Sequence, residues 1–160
     1  MSVVPPEDYT EDTVVWPVME ALRQCLCDTL TERGLMPGAC FCGMAPGAEV
    51  SWDYSSGLAW VRLDTIVPLT ETANTGCQPP LEATFDIGVL HCAPKMSAKG
   101  TPPDEAAQRE ATRLQLATMS AISYAITCCY PGDGLSLGTY TPLGPQDLVG
   151  GAWSVSYGGY

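Results

Sequence analysis

Residues 101–134, TPPDEAAQREATRLQLATMSAISYAITCCYPGDG, form the longest run of the chain with one clear period. The spacing predicts a helix. Thr101 offers a hydroxyl for an N-terminal cap, Pro102 suits the first helical position, and Asp104, Glu105 and Glu110 put negative charge near the positive end of the helix dipole. Pro131-Gly132-Asp133-Gly134 cannot continue a helix, so the element is expected to stop near Cys129 or Tyr130. Ala107, Ala111, Leu114, Ala117 or Thr118, Ala121, Ile122, Ala125 and Cys128 or Cys129 recur at the i, i+3, i+4 spacing of one face. Their small side chains suit close packing against a sheet, with Gln108, Arg109, Thr112, Arg113, Gln115 and Ser123 outside that face.

The rest of the chain supplies the strands. In Leu81–Cys92, LEATFDIGVLHC, the row Leu81, Ala83, Phe85, Ile87, Val89 and His91 alternates with a more polar row, so the first is expected beneath the helices. Leu58–Val67 alternates as well: Ala59, Val61, Leu63, Thr65 and Val67 share one face, Leu58, Trp60, Arg62, Asp64 and Ile66 the other, and both are apolar enough to be covered. Shorter candidate strands are 40–44, 47–53, 135–140 and 151–157, with a hairpin turn at Tyr54-Ser55-Ser56-Gly57. Pro142, Gly144 and Pro145 predict a loop, and Pro68–Pro80, which has no period, a long exposed one.

A second helix is expected from Asp12 or Thr13, with Pro17 in its first turn and Gly34 as a left-handed C-terminal cap. Its apolar face is Val15, Val18 or Met19, Leu22, Cys25 or Leu26, and Cys27 or Leu30. The order helix, strands, helix, strands predicts an α+β fold, a mostly antiparallel sheet with two helices packed on one face. Residues 1–12, with Pro5-Pro6 and four acids, read as an N-terminal arm, and 13–160 as a single domain.

The composition narrows the function. Only 16% of the 160 residues are charged and the formal net charge is −11, from 18 acids against seven bases. So few charges predict surfaces covered by other subunits, and so few Lys and Arg argue against tight wrapping of nucleic acid. The opening residues lack the pattern of a signal peptide and no apolar run reaches the roughly 18 residues of a membrane span, which points to folding in the cytosol.

Enzyme chemistry finds little purchase. His91 is the sole histidine, and as the last apolar-row residue of a strand it reads as a half-buried, hydrogen-bonded side chain; its neighbour Cys92 points to the other face. No phosphate loop, metal-ligand signature or nucleophile elbow occurs, so no catalytic, cofactor-binding or metal residue is assigned. The eight cysteines admit three readings. Cys40-x-Cys42 on a strand has the geometry of half a zinc site, whereas Cys25-x-Cys27 on a helix points its sulfurs about 200° apart. Buried free thiols are the preferred reading, since free cysteine packs as a small hydrophobe, and disulfides are the third. Cys77 is the expected exposed thiol, and adjacent Cys128 and Cys129 cannot both face the core.

Trp153 and Tyr157 are expected to pack the sheet. The order of these elements, with the closing Leu143-Gly144-Pro145 and Gly150-Gly151-Ala152-Trp153-Ser154-Val155, resembles the tail terminator proteins of long-tailed bacteriophages, particularly those of actinobacterial hosts. The sequence departs from that pattern at Asp147-Leu148-Val149. The resemblance implies a structural virion protein and no enzyme. It implies a homo-oligomeric, hexameric ring assembled in the host cytoplasm, with the tail tube protein on one face and the head-tail connector or stopper on the other. DNA would pass through the lumen without specific binding, and no membrane is involved. Alternatives are a head-tail stopper or adaptor, a tail tube subunit, a small cytosolic zinc- or thiol-dependent protein using Cys40 and Cys42, and a secreted, disulfide-stapled binding module.

Overall fold

A computed structural model of the chain describes residues 9–37, 41–46, 57–69, 80–92, 104–143 and 148–158. The first element, helix α1 (Trp16–Glu32), is capped from outside. The Asp12 carboxylate accepts the backbone N–H groups of Val14, Val15 and Trp16 at 3.3, 2.6 and 2.7 Å, partners that the opening turn of a helix otherwise lacks. Asp12 is thus tied to the start of the helix, whose expected beginning is Asp12 or Thr13. At the other end Gly34 adopts φ 68°, its N–H bonds the Thr31 carbonyl at 3.3 Å, and the Leu35 N–H reaches back to Leu30 at 2.8 Å. That pair of bonds is a Schellman cap, and the left-handed residue in it is the glycine expected there.

Strands β1 (Phe41–Ala45), β2 (Leu58–Pro68), β3 (Leu81–Cys92), β4 (Leu135–Leu143) and β5 (Leu148–Gly158) form one sheet in the order β1-β2-β3-β5-β4. The chain is thus an α+β protein with two helices and a mostly antiparallel sheet. Among the described residues only the β1–β2 pair is parallel. The candidate strand 47–53 and all of the Tyr54–Gly57 turn except Gly57 lie outside the described residues, as do residues 70–79 of the long loop. Its ends meet where the Leu69 N–H donates to the Pro80 carbonyl at 2.8 Å.

Alternation decides the two faces. Ala59 and Val61 of β2, Ala83, Phe85, Ile87 and Val89 of β3, and Val155 of β5 are buried with Val18, Leu22, Leu26 and Leu30 of α1. On the other face Leu58, Trp60, Leu90, Leu148 and Ala152 make a second buried cluster. Trp60 is 1% exposed; its indole lies across Gly88, where a Cβ would collide with the ring, and its N–H donates to Asp86 at 3.0 Å.

Two irregularities correct the expected pattern. The β2–β3 register shifts between Leu63 and Thr65, so beyond this bulge it is Ile66, paired with Ala83, that faces the helices, and not Thr65 or Val67. Pro142 stands inside β4, opposite Gly151, and not in a loop. An edge strand tolerates the missing N–H. A second shift leaves Gly138 and Thr139 opposite Ser154, whose hydroxyl accepts the Thr139 N–H at 3.0 Å.

Helix α2 (Glu105–Tyr124) starts later than Thr101. Asp104 is its cap, in extended backbone, with its carboxylate on the Ala107 N–H at 2.8 Å. Thr101 and Pro102 lie outside the described residues. The helix runs on as a π turn, Ala125–Cys129, in which the Tyr130 N–H bonds the Ala125 carbonyl at 3.1 Å, and it ends where expected. Burial begins at Thr118, so only the later part of the small-residue face meets the core. Gln115, expected outside, is half-buried and its amide donates to Gly150 at 2.8 Å, while the Trp153 indole donates to Met119 at 3.1 Å.

Candidate functional site

The cysteines turn out to be structural cross-links. Cys25 is bonded to Cys129 and Cys27 to Cys42, with Cα atoms 5.7 and 6.0 Å apart. This overturns the free-thiol reading for these four residues. The angular divergence that keeps Cys25 and Cys27 out of one metal site is what lets α1 be fixed on two sides, to the π turn and to β1. Cys42 shares its sulfur with Cys27 and is no thiolate ligand in this state. Cys128 is exposed beside bonded Cys129, Cys92 is exposed at the end of β3, and Cys40 and Cys77 lie outside the described residues. Among the described residues no group of three or more His, Cys, Asp and Glu is placed to hold a metal ion.

His91 is half-buried and hydrogen-bonded, with its ring Nε2 2.6 Å from the Leu35 carbonyl just past the cap of α1. A carbonyl only accepts, so Nε2 carries the proton and Nδ1 is an unprotonated nitrogen, buried without a partner among the described residues. Burial lowers the His91 pKa below its ordinary value, opposed by the Leu35 bond. Tyr140, stacked at a tilt on Trp153 with centroids 5.5 Å apart, has its pKa pushed up to about 12 by burial, and its hydroxyl has no partner among the described residues. Burial raises Tyr130 too, helped by Tyr157 and Asp133.

A concave feature with an apolar lining lies where β1 stops. Trp16 and Met19 of α1 form one wall, Met44 and Pro46 at the end of β1 the other, and Leu63 and Asp64 of β2 the floor and rim. It encloses about 710 Å³, within the usual range of ligand pockets. Small-molecule sites add a few convergent polar side chains to an apolar shell, and here Asp64 alone is charged. Sequence reading missed the groove, although one signal existed: Trp16 is a large aromatic off the Val15, Val18, Leu22 stripe, and it is 42% exposed.

No protein-family model matches the chain, and no curated protein matches it. Among the described residues no helix is long and apolar enough to cross a membrane.

Proposed function

We propose that the chain is a structural subunit of a phage neck, of the tail-terminator kind. Copies close a ring, about six by the resemblance drawn from the sequence, that caps the tail tube and offers its other face to the head connector. The observation that carries this reading is where large apolar side chains remain exposed. Trp16, Phe41, Ile66, Val67 and Leu69 lie at the β1–β2 end of the sheet, and Leu116 and Tyr124 on α2, which packs toward β5. A ring subunit with axial partners needs separate contact surfaces of this kind, because each copy meets its neighbours through non-equivalent patches. The net charge of −11 suits a lumen through which DNA slides without being held. For a ring assembled in a reducing host cytoplasm, the two disulfides would close only after release of the particle.

Light scattering on the purified chain, with tube subunits added in a second arm, tests the proposal. A closed species of about six chains, or arrest of tube growth by the chain, supports it. A chain that stays monomeric and leaves tube growth unchanged overturns it. The disulfides also favour a second reading, an extracellular binding module stapled by Cys25–Cys129 and Cys27–Cys42. That reading expects a monomer whose unfolding midpoint collapses under reductant.

A further inference from the structure

Two cysteines at the end of α2 compete for one partner. Cys129 is bonded to Cys25 of α1, and Cys128, next to it in the chain, is a free and exposed thiol. Both stand on the π turn Ala125–Cys129, which is closed by the Tyr130 N–H on the Ala125 carbonyl at 3.1 Å. A π turn closes from i to i+5 where an α turn closes from i to i+4, so it holds one residue more. Tightening it to α hands the Ala125 carbonyl to the Cys129 N–H and brings Cys128 round toward the side of the helix that faces Cys25. The two possible sulfur partners thus correspond to two registers of one helix end.

The flanks confine such a change. Upstream, Ala121 and Ile122 are buried, and the Arg33 guanidinium at the end of α1 lies over the Tyr124 ring, 4.5 Å from its centre, so the body of α2 is held in place. Downstream, residues 131–134 are exposed, and strand pairing resumes only where Leu135 meets Tyr157. A single backbone bond ties this loop to β5, from the Gly158 N–H to the Gly134 carbonyl at 3.4 Å, so the loop has room to take up one residue.

The chemistry needs no outside oxidant. The Cys128 thiolate attacks the Cys25 sulfur, a Cys25–Cys128 bond forms, and the Cys25–Cys129 bond breaks. Its electron pair leaves on Cys129, which takes up the proton that Cys128 gave up, so one disulfide and one thiol stand on each side of the step. Attack on Cys129 instead would join neighbours whose Cα atoms are about 3.8 Å apart, short of the roughly 4.4–6.8 Å usual across a disulfide, which makes Cys25 the sulfur attacked. The Thr127 hydroxyl donates to the Ser123 carbonyl at 2.8 Å, so in its 3.6 Å contact with Cys128 the hydroxyl oxygen accepts and the thiol donates.

We propose that the Cys25 cross-link is shared between Cys129 and Cys128 by thiol–disulfide exchange, and that this exchange switches the end of α2 between a π turn and an α turn. It concerns a single chain and does not rest on the ring reading.

To test this, the full chain is equilibrated at neutral pH and quenched in acid, which removes the thiolate and stops exchange. It is then unfolded, labelled with a maleimide and digested, and fragmentation between residues 128 and 129 places the label. Label on Cys129 is expected in at least about 5% of chains, an ordinary population for a minor state, at a proportion independent of protein concentration. A smaller proportion, or one that grows with concentration, would overturn the proposal. Two variants then separate the registers by the through-bond NMR coupling to the Ala125 carbonyl. In Cys128→Ser the coupled amide should be that of Tyr130. In Cys129→Ser, Cys25 should be bonded to Cys128 and the coupling should move to the amide of residue 129. A folded Cys129→Ser chain in which Cys25 reacts as a free thiol, or in which the Tyr130 coupling persists, would also overturn it. If Cys129→Ser does not fold, the label map of the parent chain decides alone.

Discussion

Helices α1 and α2 pack on the same face of one sheet, yet the first is fixed along its length and the second along its later half. Helix α1 buries Val18, Leu22, Cys25, Leu26, Thr29 and Leu30 within 17 residues, is capped at both ends, and is cross-linked on two sides. Helix α2 is longer, at 20 residues, but within it only Thr118, Ala121 and Ile122 are buried. Its opening turns carry the ion pairs Glu105–Arg109 at 3.8 Å and Glu110–Arg113 at 2.9 Å, so exposed that they add little stability. Tertiary burial, more than length or propensity, fixes a helix in a protein. The first half of α2 is left without buried residues.

The largest expected effect breaks the fixation of α1. Replacing both Cys25 and Cys129 by Ser removes a link spanning 104 residues of chain, which the chain-entropy model values at roughly 4–5 kcal/mol. The Cys27–Cys42 link spans 15 and is worth about 3 kcal/mol on the same model. Urea unfolding of the two double variants checks the order. Equal and negligible losses would mean that packing alone holds α1. A second contrast compares buried with open apolar residues. Leu30→Ala, at a position with 0% exposure, should cost about 2–5 kcal/mol, whereas Leu116→Ala, 52% exposed, should stay within about 0.5 kcal/mol. A large loss at Leu116 in the isolated chain would show that the open half of α2 is covered after all.

How much of this was legible in the sequence follows the same divide. The β3 strand, the stripe and Gly34 cap of α1, the end of α2 and the α+β class are all local, because period and turn chemistry act over a few residues. The cross-links were not legible, since Cys25 and Cys129 meet only once both helices are on the sheet. The fate of β2 beyond Leu63 was hidden for a related reason. Its alternation is perfect in sequence, but a one-residue bulge at Asp64 exchanges the faces, and only pairing with β3 reveals it. Cap choice on α2 was a near miss: Thr101 and Asp104 both have capping side chains, and Asp104 holds the role. The groove needs three elements at once, which no spacing in one segment announces.

The two caps sharpen the comparison at smaller scale. Asp12→Ala removes an acceptor from three N–H groups at the base of a buried helix, and a loss of about 1–2 kcal/mol in global stability is expected. Asp104→Ala removes one bond, to Ala107, at the open end of α2. About 0.5–1 kcal/mol is expected there, appearing as faster amide exchange in the first turns of α2 and little change in the global midpoint. Identical global losses would show that α2 is as tightly coupled to the core as α1.

Smallest is an effect of pH that should reach α1 and spare α2. His91 bonds the Leu35 carbonyl beyond the α1 cap, whereas α2 is tied to β5 through Gln115 and Trp153, neither of which titrates. Burial holds the His91 pKa below its ordinary value of 6.5, so in the acid range the unfolded chain binds a proton that the folded chain resists. That contribution is fully present above about pH 6.5. It is lost as pH falls from the unfolded value toward the lowered folded one, and it changes no further below both. Urea midpoints for the parent and for His91→Gln, measured from pH 7.5 down to 5, should converge as acid is added, with the parent falling more steeply. Amide exchange should locate the added opening at Leu35 and the last turn of α1. A parent whose midpoint tracks that of His91→Gln across this range would mean that the imidazole protonates in place and leaves the hold on α1 unchanged.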